Sequence, residues 1–407
     1  MNSRSVAVTG LGLMTGLGLD LPSSWAGLLE GRNAVRRFTL FDPEGLPTPF
    51  GVELPDGADE LFARQIMKRS RDQMTRGTML ALATAQMAIA DARLDAADVD
   101  RGRVGVVLGT TGTGYTDIAE GIDQHRILRG MSNSPAAWVS LKFKFAGPSF
   151  VVGTACSSGA YALAAAHWLI ASGQADAVVT GAADSSLNRL DVQGFSSLMA
   201  LAEESGDIAT ASRPFDRARS GFVIGEGGGV LVLESQESAR RRGARVYALM
   251  PPPGLSSEAY NILSPQAGGV GMAVCMRRSL ENAGLAPEAV DYINAHGTST
   301  RINDLYETQA IHAVFGEAAR NVAVSSTKSL TGHCLAGAAG VEAVICCKAL
   351  DEGMIPPTWH LTDPDPELDL DFVPNAPRRR ELRNVMSNSF AFGGHNGVAI
   401  FSRYDGA

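Results

Sequence analysis

The residues best suited to chemistry are one cysteine, two histidines and a lysine, each among small or hydroxylated neighbours. Cys156 lies in "VVGTACSSGAYALAAAHWLIASGQ", where β-branched residues and a glycine give way to an alanine-rich run. That run keeps no polar face and reads as a buried helix. Cys156 therefore sits at or just before its first turn, where unpaired N–H groups and the helix dipole favour a thiolate. An inert core cysteine fits this stretch equally well, since free cysteine is among the most buried residue types. His296 ends the strand "VDYIN" in "NAHGTSTRIND". His333 lies in "SSTKSLTGHCLAGAAG", just after Lys328, where a second small-residue helix begins. A lone histidine is most often a structural hydrogen-bonder. Two at element ends among Gly, Ser and Thr point to a site.

The elements that must position these residues alternate along the chain. "SVAVTGLG", "GRVGVVLGTT", "ADAVVTGAADS" and "EGGGVLVLES" read as strands, and "RGTMLALATAQMAIADARL" has helical spacing. Alternation of this kind predicts an α/β protein with a mostly parallel or mixed sheet covered by helices. The second half replays the first. "MAVCMRRSLENAGLAPEAVDYINAHGTST" matches "ALATAQMAIADARLDAADVDRGRVGVVLGTT". "VAVSSTKSLTGHCLAGAAGVEAVICCKALDEG" parallels the Cys156 segment. "NSFAFGGHNGVAIFS" echoes "GFVIGEGGGVLVLES", both read as glycine-rich turns inside hairpins. The expected organisation is a tandem duplication, 1–245 carrying the cysteine and 246–407 the histidines and lysine. Cys156 and His333 then fall at corresponding junctions, and a site between them draws on both halves.

Composition narrows the function classes. The 407 residues are 45% hydrophobic and 19% charged, with 45 glycines, which excludes a disordered chain and suits buried sheet with tight turns. A net charge of −8 argues against nucleic-acid binding. Five cysteines without a CxxC pair imply neither a disulfide framework nor a metal site, and fit a reducing cytoplasm. No apolar stretch has the length of a membrane span. "GTTGTG" (109–114) matches no phosphate-loop pattern and reads as a turn. Cys346 and Cys347 read as core, and the arginine runs 240–242 and 378–380 as solvated surface.

"GTACSSGAYAL", "NAHGTST", "KSLTGHCLAGAAGVEA" and "NSFAFGGHNG", with "RPFDRARSGFVIGEGGGVLVLE" and "VAVTGLGLMTGLG", together resemble the β-ketoacyl-acyl-carrier-protein synthases of the elongating Cys-His-His type. The resemblance spans essentially the whole chain, in order. It implies the thiolase-like fold, five layers α-β-α-β-α from two similar halves, in a homodimer or a heterodimer with a related subunit. It implies that Cys156 accepts an acyl chain and that His296 and His333 hydrogen-bond the malonyl thioester carbonyl. Lys328 would position His333, paired with Glu307, although a purely structural ion pair is an equal alternative. Thr298 and Thr300 would contact the phosphopantetheine arm, or simply cap strand ends. Phe392 would be the gate and, with Cys156, an oxyanion N–H, within a loop of Phe390, Ala391, Gly393, Gly394 and His395. Lys68, Arg69 and Arg71, in a basic stretch that reads as the start of a helix, would border the surface for the acidic carrier protein, or be solvated only. No metal or other cofactor is implied.

Three departures from the family pattern stand out. Arg301 and Asn303 replace Pro and Gly after "HGTST". Ala391 replaces a glycine where unusual φ is expected, and His395 replaces a threonine. The stretch between "GTTGTG" and "GPSF" is shorter than the family's. These changes point to a specialised secondary-metabolic synthase. The alternatives are the catalytic half of a heterodimer, a non-catalytic chain-length partner, a thiolase and a cysteine hydrolase. A chain-length partner lacks the cysteine, a thiolase has a second one near its C-terminus, and no Asp or Asn is evident to orient a hydrolase histidine.

Overall fold

A computed structural model describes residues 4–111, 124–204 and 206–406. The strands of its main sheet are β1 (Val6–Met14), β2 (Val104–Gly109), β3 (Ser149–Val152), β4 (Ala177–Asp184), β5 (Gly227–Ser235), β6 (Ala248–Leu249), β7 (Gly254–Ser257), β8 (Tyr292–Asn294), β9 (Ala323–Ser325), β10 (Asn384–Phe390) and β11 (His395–Ser402). The helices that pack on them in the repeated order are α1 (Arg76–Asp91), α2 (Ser134–Phe143), α3 (Ser158–Ala171), α4 (Val270–Ala283), α5 (Arg301–Phe315) and α6 (Ala338–Glu352).

Strand pairing makes the duplication explicit. In the first half β3 pairs β2 and β2 pairs β4, both parallel, then β4 pairs β5 and β5 pairs β1, both antiparallel. In the second half β9 pairs β8 and β8 pairs β10 in parallel, then β10 pairs β11 and β11 pairs β7 antiparallel. Each half runs strand, helix, strand, helix, strand, helix, strand, strand, and short β6 joins them by pairing both β1 and β11. The layering follows from which faces are apolar. Helices α1 and α2 bury Leu80, Ala83 and Val139 with Val106 and Val179 in one core. Helices α3 and α6 share a second core with strands of both halves, including Leu231 and Val385. On the far side α4 and α5 pack Met276 and Ile311 against Ile293 and Val324. The result is five layers, α-β-α-β-α.

The two middle helices meet at glycines. A Cβ added to Gly159 of α3 would lie 2.8 Å from the backbone nitrogen of Gly340 of α6, and one on Gly229 of β5 would lie 2.2 Å from Gly340 carbonyl. Glycine is therefore required for α3, α6 and β5 to approach this closely.

Three expectations need correction. The run "GFVIGEGGG" is not a hairpin turn. Its residues 222–225 bridge to Leu201, His333 and Val52, a long connection (185–226) precedes β5, and the glycines serve close packing. Residues 68–76 do not open one helix, because Lys68–Arg71 is a separate short turn and Thr75 caps α1 anew. Ala391 has extended backbone (φ −121°), so alanine fits without strain. Part of the "GTTGTG" turn, and part of the stretch before "GPSF", lie outside the described residues. No helix among the described residues is long and apolar enough to cross a membrane.

Candidate active site

The two small-residue helices bring their leading junctions to one cavity of about 400 Å³. Cys156, His296, His333, Thr298, Thr300, Phe390, Ala391 and Phe392 all line it, so residues from both halves converge. Cys156 lies two residues before α3, and its neighbour Ala155 holds a left-handed φ of 49°. Ser299 (φ 70°), between the lining residues Thr298 and Thr300, and Leu335 (φ 47°), itself in the lining, are similarly left-handed. Non-glycine residues rarely occupy this region, and such strain concentrates at functional sites.

The rings of His296 and His333 stand edge to face with centroids 5.3 Å apart. Phe390 packs against His296 at 6.1 Å and Phe222 against His333 at 5.2 Å, which fixes both imidazoles. Lys328 is fully buried, and its Nζ lies 3.5 Å from Nδ1 of His296. This overturns two expectations. The lysine contacts His296 and not His333, and its carboxylate partner is Glu342 of α6, not Glu307. Glu307 instead accepts the backbone N–H groups of His296 (2.9 Å) and Gly297 (2.8 Å) and the side-chain amide of Asn388 (3.0 Å). It clamps the loop that carries His296 without touching the lysine.

Burial dominates the electrostatics. It pushes the Cys156 thiol up to about 12, opposed chiefly by the positive charge of Lys328. The thiolate expected at a helix N-terminus is therefore not the resting form, and the proton must leave as the thioester is attacked. Both imidazoles are held well below the ordinary histidine value of 6.5, first by burial and then by Lys328. They stay neutral, each with one N–H to donate. The acid limb of the reaction rate is thus expected below 6.5. Native stability should also fall as pH drops beneath 6.5, because the unfolded chain then binds protons that the folded one refuses. A pH–rate profile and pH-dependent unfolding check this, and a limb at the ordinary histidine value would contradict it.

Removing Lys328 leaves Glu342 a buried carboxylate without its counter-charge, an arrangement that costs about 3–5 kcal/mol. Lys328→Met is expected to unfold at markedly lower urea than wild type, and Lys328→Met with Glu342→Gln to recover part of the loss. A single variant as stable as wild type would show that the pair contributes nothing.

Thr298 and Thr300 share a hydroxyl hydrogen bond (2.9 Å), and Thr300 also caps α5 through the Asn303 N–H. Both are thus cavity lining and one is a cap. The loop after β10 turns on Gly393 (φ 82°) and Gly394 (φ 69°), tied by the Gly393 N–H to Ile262 carbonyl at 2.7 Å. His395 sits under Gly393 and edge-on to Tyr161 at 6.1 Å. Lys68, Arg69 and Arg71 do not line the cavity. Sequence reasoning missed Glu342, Asn388 and Phe222. Glu342 could have been found as the only charged residue in the apolar first half of its helix, "AAGVEAVICC".

Cys156 and His333 at the equivalent junctions of a duplicated five-layer fold, with a second neutral histidine, His296, beside them, define a thiolase-like condensing enzyme site. The chain belongs to the β-ketoacyl synthase family, matching its N-terminal domain over residues 3–239 and its C-terminal domain over 247–362. It is 40% identical to the 3-oxoacyl-[acyl-carrier-protein] synthase 2 of Synechocystis sp., with 99% of each chain covered. The protein of the same name from Coxiella burnetii is 38% identical, again over 99% of each. Among solved structures, the ishigamide ketosynthase/chain length factor superposes with a TM-score of 0.91 at 33% identity, covering 99% of this chain and 100% of that one. A β-ketoacyl synthase from Burkholderia phymatum gives 0.90 at 34%, covering 98% and 100%.

Proposed function

We propose that this protein catalyses decarboxylative Claisen condensation between an acyl group on Cys156 and a malonyl group on an acyl carrier protein. The convergence of Cys156, His296 and His333 on one cavity carries this reading. In the first step the Cys156 sulfur attacks the donor thioester. The C–S bond to the carrier breaks, and the thiol proton leaves with the departing carrier thiolate. In the second, malonyl loses CO₂ and charge builds on its thioester oxygen. The two imidazole N–H groups receive that charge without reorganising. The resulting carbanion attacks the acyl-Cys156 carbonyl, whose oxyanion meets the backbone N–H groups of Cys156 and Phe392. Collapse releases the β-ketoacyl carrier and Cys156, which recovers a proton from solvent.

In this reading Lys328 and Glu307 position His296, and Thr298 and Thr300 guide the phosphopantetheine arm. Phe392 is the gate, swinging on Gly393 and Gly394 beside Phe390, Ala391 and His395. Lys68, Arg69 and Arg71 face the carrier protein. Division of the chain into 1–245 and 246–407 follows the repeated strand order. The protein works in the cytoplasm without metal or other cofactor, as a homodimer or beside a related subunit, a pairing supported by the ketosynthase/chain length factor likeness.

The test is intact-protein mass after incubation with acyl-carrier thioesters of varied length, followed by malonyl-carrier protein. The expected result is an acyl adduct that malonyl-carrier protein discharges as a β-ketoacyl product. Failure of every donor to load would refute the function.

A further inference from the structure

We infer that Arg301 recognises the phosphodiester of the carrier's prosthetic arm at the cavity mouth, a proposal that rests on the function above. Arg301 is the only cationic side chain among the described residues lining the cavity. The sole carboxylate in that lining, Glu258, is already engaged by the Gln266 N–H (2.6 Å) and the Asn396 amide (3.1 Å). Arg301 itself is exposed, and among the described residues it makes no ion pair. Its Nε donates only to the backbone carbonyl of Arg219, at 3.4 Å. Arg219 is in turn held by Asp365 at 2.7 Å and lies 3.7 Å from Asp304. The guanidinium is thus tethered at one nitrogen to a fixed backbone, with its two terminal nitrogens uncommitted. Asn303, the companion departure, also lines the cavity, but its amide is already committed. That amide donates to Asp304 (3.2 Å) and Glu307 (3.5 Å).

Position decides which anion the guanidinium meets. The chain runs from buried His296 past Thr298 and Thr300 to exposed Arg301, and five residues span at most about 17 Å. A malonyl carboxylate must leave as CO₂ beside the buried histidines, so it is at the other end of this path. The phosphodiester is the anionic group that stays outside while the thioester reaches Cys156. Around it the rim exposes Leu198, Met199 and Ile302, and the other polar side chains in the lining outside the buried site, such as Ser220 and Ser264, are uncharged, so no second cation competes for the anion there. Arginine's planar fork suits a phosphate better than lysine's point charge.

The experiment compares acyl and malonyl thioesters of phosphopantetheine with those of phosphate-free pantetheine, on wild type, Arg301→Gln and Arg301→Lys. A charge-assisted contact predicts that wild type favours the phosphorylated thioesters roughly tenfold to a hundredfold in kcat/KM. Arg301→Gln should bring that ratio close to one, with Arg301→Lys between. A wild type without phosphate preference, or an Arg301→Gln protein that keeps it, overturns the proposal while leaving the condensing function standing. So does an Arg301→Gln defect confined to malonyl thioesters whether or not phosphate is present, which would assign the guanidinium to the substrate carboxylate. A wild type that transfers no acyl group from any thioester overturns the function and this proposal together.

Discussion

A Cys156→Ala protein is expected to carry no acyl group after incubation with any donor that loads wild type, while still releasing CO₂ from malonyl thioesters. The first outcome follows because Cys156 is the only thiol lining the cavity among the described residues. The other four cysteines are buried too, and burial pushes each of their thiols up. None can substitute, and losing the nucleophile of a catalytic unit costs on the order of 10⁶ in turnover. The second outcome follows because charge on the malonyl oxygen is received by His296 and His333, which the substitution leaves in place. Mass spectrometry reads the loading and labelled CO₂ the decarboxylation. An adduct on the variant would mean that Cys156 is not the acceptor. Loss of both activities would mean that the cysteine also supports the histidine arrangement.

The histidines should behave in the opposite way. His296→Ala and His333→Ala are each expected to lower the condensation rate by about 10²–10³, the usual cost of one oxyanion donor, with a much smaller effect on Cys156 loading. The two losses should not add in the double variant, because neither donor holds the oxygen correctly without the other. Their surroundings predict a further difference. His296→Ala removes the group 3.5 Å from Lys328 Nζ and disturbs a buried charge, whereas His333→Ala removes a ring that packs on Phe222. His296→Ala should therefore lose more stability. Single-turnover loading and steady-state condensation, measured side by side, test the split. Equal loss of both steps in either variant would assign that histidine to thiol activation instead.

Much of this arrangement can be read from residues alone. The match between the two halves placed Cys156 and His333 at equivalent junctions, and the strand pairing reproduces that equivalence strand by strand. What could not be read was which carboxylate reaches the lysine. Glu307 and Glu342 both lie on helices near Lys328 in the chain, and spacing does not separate them. The distinction is one of depth: Glu342 is on the middle helix that Lys328 faces, while Glu307 turns to the backbone of 296–297. The glycines of "GEGGG" misled for a related reason. Glycine serves tight turns and close backbone contact alike, and only the position of Gly340 shows that the second applies to Gly229. Ala391 shows the converse, since a position read as needing glycine is plainly extended.

The contact of Gly159 with Gly340 bears on how this protein can diversify. Because backbone meets backbone there, the separation of the two helices that follow the acyl-bearing sulfur and the opposite histidine is not set by side-chain bulk at their crossing. Residues that line the cavity away from that crossing, such as Leu198, Met199 and Met272, can then vary in bulk without altering the contact between the two helices. A lineage can retune which chain it accepts while its reaction chemistry stays constant.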